Sequence, residues 1–399
     1  MTRQVQEAYI VAAARTAVGK APRGMYRRTR PDDLLAHVLR QAAARVPALD
    51  LAAVDDVIVG CAIPEAEQGM NVARIALLLA GYPQSVAGVT VNRFCASGLQ
   101  AVAMAADRIR LGEAEVMVAA GAETMSLIPM GGHHIAFNEA VFARGEHVGI
   151  AYGMGTTAET VAQRWRVSRE AQDGFALESH RKALAAIAAG EFRDEIAPYA
   201  IEERRPDLAS QSVAVRARLA DTDEGPRADA SAEGLAKLKP VFAAQGSVTA
   251  GNSSQTSDGA GAVILASEAA LARFGLTPLA RFVSFAVAGV APEIMGIGPL
   301  QAVPKALRQA GWSLADLDWI ELNEAFAAQS LAVMRDLDMD ASKVNPLGGA
   351  IALGHPLGAT GAIRTATLVH GLRRRGLRRG MVTMCVGTGM GAAGLFEAV

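Results

Sequence analysis

The stretch LAAVDDVIVG, residues 51–60, returns in outline as LADLDWIELN, residues 314–323. Each phrase sets an acidic turn before a short apolar run, and each stands at the same point of its own half of the chain. A short apolar run bounded by turn chemistry reads as a buried strand. Its recurrence reads as a duplicated unit, because internal repetition decides architecture before any local propensity does.

Working outward, the first half predicts strand Ala8 to Ala13, helix Pro31 to Arg45 with Asp32 and Asp33 in its first turn, strand Asp56 to Gly60 and helix Asn71 to Ala80. Strand Gly88 to Val91, helix Ser97 to Leu111 and strand Glu115 to Gly121 follow. The second half repeats the order with strand Ala280 to Ala286, helix Leu300 to Ala310, strand Asp318 to Leu322 and helix Ala325 to Asp336. It ends with a short strand near Val344, helix Ala359 to Arg374 and strand Met381 to Cys385. This alternation predicts an α/β fold whose mostly parallel sheet is covered on both faces. From about Ser126 to Gly246 the strand pattern fades into a stretch rich in Gly, His and charge, with a helix over Arg169 to Ala189. An insertion of that length reads as a functional cover. The expected division is residues 1–125 with 247–275 as one half, 126–246 as the cover and 276–399 as the second half.

Composition narrows the function. Over 399 residues, 39 basic side chains nearly cancel 40 acidic ones, so no nucleic-acid partner is expected. Half the residues are apolar, yet none of the apolar runs reaches the roughly 20 residues that a membrane span needs. The run Ala8 to Ala14 is too brief for a signal-peptide core, so a cytoplasmic setting is expected. The three cysteines, Cys61, Cys95 and Cys385, have neither zinc spacing nor an even count. They are expected to be free thiols, with no metal bound.

Chemistry concentrates in three glycine-rich turns. In NRFCASGLQ, residues 92–100, Cys95 sits where a strand gives way to a helix. There free amides and the helix dipole would lower a thiol pKa and favour a nucleophilic thiolate; a buried structural cysteine is the plainer alternative. In NPLGGAIALGHPLGATG, residues 345–361, His355 occupies the second half's counterpart of that turn, in a backbone that must bend sharply. In CVGTGMG, residues 385–391, Cys385 ends a strand, and in sheets of this kind ligands bind at the carboxyl ends of strands. One pocket could hold all three.

In order and spacing these segments resemble the thiolase family, and the similarity runs along essentially the whole chain. GNSSQTSDGA from Gly251, NEAFAAQ from Asn323, GMGTTAE from Gly153, IMGIGP from Ile294 and the early RTAVGK carry it further. The resemblance implies a thiolase fold, with a duplicated five-layer αβαβα core, an inserted loop domain over the active site, and a homodimer or homotetramer. It implies Cys95 as acylated nucleophile, His355 as its base and Cys385 as the second acid or base. Asn323 would hold a water that, with His355, forms one oxyanion hole, and the amides of Cys95 and Gly387 would form another. No permanent cofactor is implied; coenzyme A is cosubstrate and acyl-CoA substrate. Arg227, Ala250 and Ser254 would contact coenzyme A, although Gly234 stands where a relative can carry a contacting serine. Met154, Met295, Ala325 and Phe326 would line the acyl pocket, where the plainer reading of a methionine is core filler. Gly153 replaces a histidine common in short-chain members, which tilts the reading toward a degradative 3-ketoacyl-CoA thiolase of broad chain length. Two rivals remain: a biosynthetic acetoacetyl-CoA thiolase, and a catalytically silent acyl-CoA or lipid binder. The ketoacyl synthase branch of the fold would need a second histidine where Cys385 stands.

Overall fold

Strand order makes the duplication visible. The structure, a computed structural model, describes residues 5–399. Its first half runs β1 (Tyr9–Arg15), β2 (Gly19–Lys20), α1 (Pro31–Ala44), β3 (Asp56–Gly60), α2 (Val72–Leu79), β4 (Ala87–Val91), α3 (Ser97–Arg110) and β5 (Val116–Thr124). An excursion follows, with α4 (Met154–Arg164), α5 (Arg169–Ala188), β6 (Tyr199–Asp207), β7 (Ser212–Ala220) and α6 (Ala232–Ala236). The chain then returns through β8 (Ser257–Ala266) and α7 (Glu268–Phe274). The second half comprises β9 (Ala280–Gly289), α8 (Pro299–Ala310), β10 (Trp319–Leu322), α9 (Ala327–Asp336), α10 (Ala350–Leu353), α11 (Leu357–Arg374), β11 (Arg379–Val386) and β12 (Met390–Ala398).

Across the sheet the order is β4-β3-β5-β8-β1 and then β9-β12-β11-β10. The halves meet through the pairs Tyr9↔Arg281 and Ile10↔Ala280. Reading each half from its junction strand gives the same sequence of places, with an isolated bridge between Ile320 and Val344 standing where the first half has β4. The strand expected near Val344 is therefore a single bridge.

The expectation of a mostly parallel sheet is corrected. Only β3–β4, β3–β5 and β10–β11 pair in parallel among the described strands. The β1–β8, β5–β8, β11–β12, β9–β12 and β1–β9 pairs are antiparallel. The reason lies in the connections. β12 follows β11 by a tight turn, with Thr388 and Gly389 at φ of 67° and 92°, and such a turn reverses the chain. The excursion also contains a two-stranded hairpin, β6–β7, that the sequence reading passed over. The β7 letters SVAVRARLA do alternate, with Val213, Val215 and Leu219 on one face, but most of the strand is exposed, so that face is not part of the core.

Helices α1 and α2 cover the outer face of the first half. Helices α8 and α9 cover the second, through Val303, Ala306 and Val333 against Ile320, Leu322 and Met381. Between the two halves lie α3 and α11, each touching strands of both, which completes five layers. Their backbones nearly touch. A Cβ added at Gly98 would lie 2.7 Å from Ala362 N and 2.8 Å from Gly358 O, and one at Gly361 would collide with Leu99 N. No side chain larger than hydrogen fits at this crossing.

The excursion is tied down by buried charge. Arg15, at the end of β1, donates to Glu195 at 2.6 Å and to both oxygens of Asp223 at 2.7 and 2.9 Å. All three residues are buried, and removing one partner from such a cluster leaves the others desolvated without compensation. Gly361→Ala is expected to lower unfolding free energy by at least about 1–3 kcal/mol, the usual cost of forcing an added methyl into a filled interior. Urea denaturation of purified variant and parent measures it.

Candidate active site

Cys95 rides on a strained turn. A 3-10 turn, Phe94–Ala96, joins β4 to α3, and Phe94 is left-handed with φ 42°, costly for a bulky side chain. Neighbouring polar groups pin it. Asn92 Oδ1 accepts from Phe94 N at 2.7 Å while Asn92 Nδ2 donates to Ala62 O, and Ser97 Oγ accepts from Arg93 N and donates to Phe94 O.

His355 is fixed with equal care. Gly354, at φ 95°, lets the chain pass where a Cβ would lie 2.6 Å from Ser257 Oγ. His355 N then donates to that hydroxyl at 3.1 Å, and the residue bridges to Thr256 beside β8. In the tautomer that suits both neighbours, Nδ1–H donates to Thr360 Oγ1 at 2.7 Å. Asn323 Nδ2 donates to Nε2 at a long 3.3 Å. The nitrogen that carries the lone pair is therefore Nε2, with only this long contact upon it. Asn323 is itself anchored by its amide to Thr383 O, and its buried Oδ1 has no partner among the described residues.

Cys385, at the end of β11, lies close enough to Cys95 to feel its charge. It shares an apolar cluster with Met154, Met295, Ala325 and Phe326, so the structure brings all four expected acyl-pocket residues to that sulfur. The backbone amides of Gly387 and of Cys95 itself act to lower the Cys95 thiol.

Electrostatics departs from expectation. A helix N-terminus was expected to hold Cys95 as a thiolate, but burial pushes the thiol up to about 11 and the two amides offset only part of that. Burial likewise drives His355 down to about 3, with the Arg364 guanidinium adding to the effect. Cys385 is raised by burial and then by Cys95. Burial thus favours a neutral Cys95 thiol and a neutral His355 imidazole at neutral pH, because desolvation outweighs the dipole here.

Glu123 is a carboxylate that the sequence reading passed over. It accepts from Ala62 N at 2.8 Å, Ile63 N at 3.2 Å, Gly358 N at 2.9 Å and the Gln68 side chain. Burial raises it to about 7 despite those donors. It thereby joins the loop after β3 to the first turn of α11, the helix that follows His355. A lone charge inside the apolar strand VMVAAGAET was the available signal. Thr360 and Ser257 were visible only as letters within quoted motifs, with nothing to show that they would meet the ring.

The expected coenzyme A contacts fall in a different place. Arg227 and Ala250 line a cavity of ≈ 420 Å³ with Lys20, His180, Ser231, Ser253 and others. None of Cys95, His355 or Cys385 lines it. Ser254 is beside the cavity, its amide bonded to Ala325 O at 2.9 Å, while its neighbour Ser253 faces in and bridges to Phe326 of the sulfur cluster.

Residues 8–269 match the family description "Thiolase, N-terminal domain" and residues 276–398 match "Thiolase, C-terminal domain". The chain is 49% identical over 399 residues to a 3-ketoacyl-CoA thiolase of Bacillus subtilis, covering 98% of this chain and 100% of that one. It is 46% identical over 401 residues to an acetyl-CoA acetyltransferase of Pseudomonas aeruginosa, covering 98% of each. A crystal structure of the Bacillus anthracis acetyl-CoA acetyltransferase matches with a TM-score of 0.89 at 43% identity over the whole of both chains.

Alkylation tests the neutral resting pair. With iodoacetamide, the rate at Cys95 is expected to climb steadily from pH 6 to 9, by about tenfold per unit, as thiolate fraction does below a raised pKa. Cys61 and Cys385, fully buried and also raised, should lag behind it by peptide mass mapping. A rate that levels off near neutrality would instead report a thiolate–imidazolium pair.

Proposed function

The chain belongs to the thiolase family, and we propose that it works as an acetyl-CoA C-acyltransferase that cleaves 3-ketoacyl-CoA thiolytically in the degradative direction. Support for the chemistry comes from the turn that carries Cys95, which packs on the helix that follows His355, and from the Cys385 thiol, which Cys95 raises further. Cys95 Sγ attacks the 3-keto carbon while Nε2 of His355 takes its proton. The amides of Cys95 and Gly387, which act on that thiol, would donate to the oxygen of the carbon it attacks and stabilise the charge formed there. The C2–C3 bond then breaks. Negative charge moves to the thioester oxygen of the departing acetyl-CoA enolate, where His355, now bearing Nε2–H, and a water on the unpartnered Oδ1 of Asn323 supply donors.

Cys385 gives its proton to C2 of the enolate, a task suited to a thiol held protonated by its surroundings. Coenzyme A enters the second half-reaction and passes its thiol proton to Cys385. The coenzyme A sulfur attacks the acyl-Cys95 carbonyl, and His355 returns its proton to the leaving Cys95. Two half-reactions through one acyl-enzyme give ping-pong kinetics. These steps use coenzyme A as cosubstrate and no permanent cofactor.

The degradative reading rests on Gly153, an exposed position where a Cβ would meet nothing within 4 Å and where no histidine narrows the way in. The biosynthetic alternative, acetoacetyl-CoA synthesis, draws on the acetyl-CoA acetyltransferases of similar identity. Three free cysteines fit a reducing cytoplasm, and assembly as a homodimer or homotetramer is part of the proposal. No helix among the described residues is long and apolar enough to cross a membrane.

Thiolysis assays over C4 to C16 3-ketoacyl-CoAs decide between the directions. Medium chains are expected to match or exceed the C4 value of kcat/KM, whereas a pocket too short by one methylene would lose roughly 10–200-fold; a steep fall beyond C4 favours the biosynthetic enzyme. Cys95→Ala should lose about 10⁴-fold or more of kcat, as loss of a nucleophile does elsewhere. A substitution that leaves turnover intact would return the chain to the silent binder. Thr360→Val should lower kcat by about 10-fold with little change in KM, the scale seen when an orienting partner of a histidine is removed.

A further inference from the structure

The motif RTAVGK, residues 15–20, takes no part in the steps above, yet both its ends are placed with purpose. Arg15 is consumed by the buried ion cluster. Lys20, five residues on, lines the ≈ 420 Å³ cavity together with His180, Arg227 and Asp229. The charges of this lining do not cancel. Arg227 is engaged with Asp229 at 3.0 and 3.2 Å, and His180 accepts the Arg227 amide on Nδ1 and is driven down to about 4 by burial, then by Arg227 and Lys20. No described carboxylate forms an ion pair with Lys20. One positive charge is left over in the lining, with Asp229 acting on both Arg227 and Lys20 and hydrogen-bonded only to Arg227 among the described residues.

Its backbone is held firmly. Lys20 pairs with Ser257 of β8, its amide donates to Glu224 at 2.9 Å, and the next residue donates to Thr256 O at 2.9 Å. Thr256 in turn bridges to His355. The ammonium thus projects from a platform fixed relative to the reacting groups, while Ser253 leads from the same cavity toward the sulfur cluster.

Resting on the reading that this cavity takes coenzyme A, we propose that Lys20 Nζ pairs with a phosphate of coenzyme A and makes the site prefer the phosphorylated cofactor to phosphate-free pantetheine thiols. An ammonium suits a phosphate as a point charge. With Arg227 already answered by Asp229, a polyanion entering the cavity finds its uncompensated partner at Lys20.

Calorimetric titration of the intact protein with coenzyme A, dephospho-coenzyme A and pantetheine tests this. Lys20→Met is expected to weaken coenzyme A binding about tenfold, the worth of one charge-assisted hydrogen bond, with pantetheine affinity unchanged within twofold and Lys20→Arg recovering most of the loss. If the effect vanishes with dephospho-coenzyme A, the ammonium meets the 3′-phosphate; if it persists, it meets the diphosphate. Unchanged coenzyme A affinity, or equal losses for coenzyme A and pantetheine, overturns the proposal. A parent protein that binds coenzyme A with this Lys20 dependence but cleaves no 3-ketoacyl-CoA would sink the proposed reaction and leave the phosphate contact standing.

Discussion

Everything about this site depends on two helices that touch backbone to backbone. Helix α3 begins just after Cys95 and α11 just after His355, so the separation of the helices sets the separation of the two side chains. The helices themselves approach closely because Gly98, Gly358 and Gly361 carry nothing at the crossing. A duplicated fold offers one such helix from each half, and stacking the halves delivers the two turns to a single place. Glu123 adds a polar clasp at the same joint, taking amides from the first half and from α11.

The second constraint is the absence of water. Sulfurs and imidazole lie in an interior where charge is expensive, and this outweighs the local dipoles that would otherwise ionise Cys95. The two amides that act on the thiol are too weak to reverse that at rest. They are well placed to matter more when a substrate oxygen takes on charge, since donors fixed in advance need not reorganise at that moment.

Much of the fold was legible because strands and helices in the two halves obey the same strong periodicity. Cys95, His355 and Cys385 announced themselves through glycine-rich turns whose sharp bends have few purposes other than close approach. What stayed hidden shares one physical character: it depends on pairings distant in sequence. The antiparallel entry of β8 follows from a return after the long excursion. The hairpin β6–β7 carries an alternation in SVAVRARLA that the reading passed over, set within a stretch otherwise rich in charge. Thr360, Ser257 and Glu123 gain meaning only once another segment arrives beside them. The protonation of Cys95 was misjudged for a related reason, since a helix start can be read from the chain whereas depth cannot.

That depth also governs how long the enzyme lasts. Peroxides and stray electrophiles attack thiolates far faster than thiols, so a sulfur that stays protonated between turnovers ages slowly. In the proposed reaction, reactivity would be released only when a ketone carbon arrives to receive it and His355 takes the proton at that instant. Durability and catalytic power, usually in tension at a cysteine, are here separated in time.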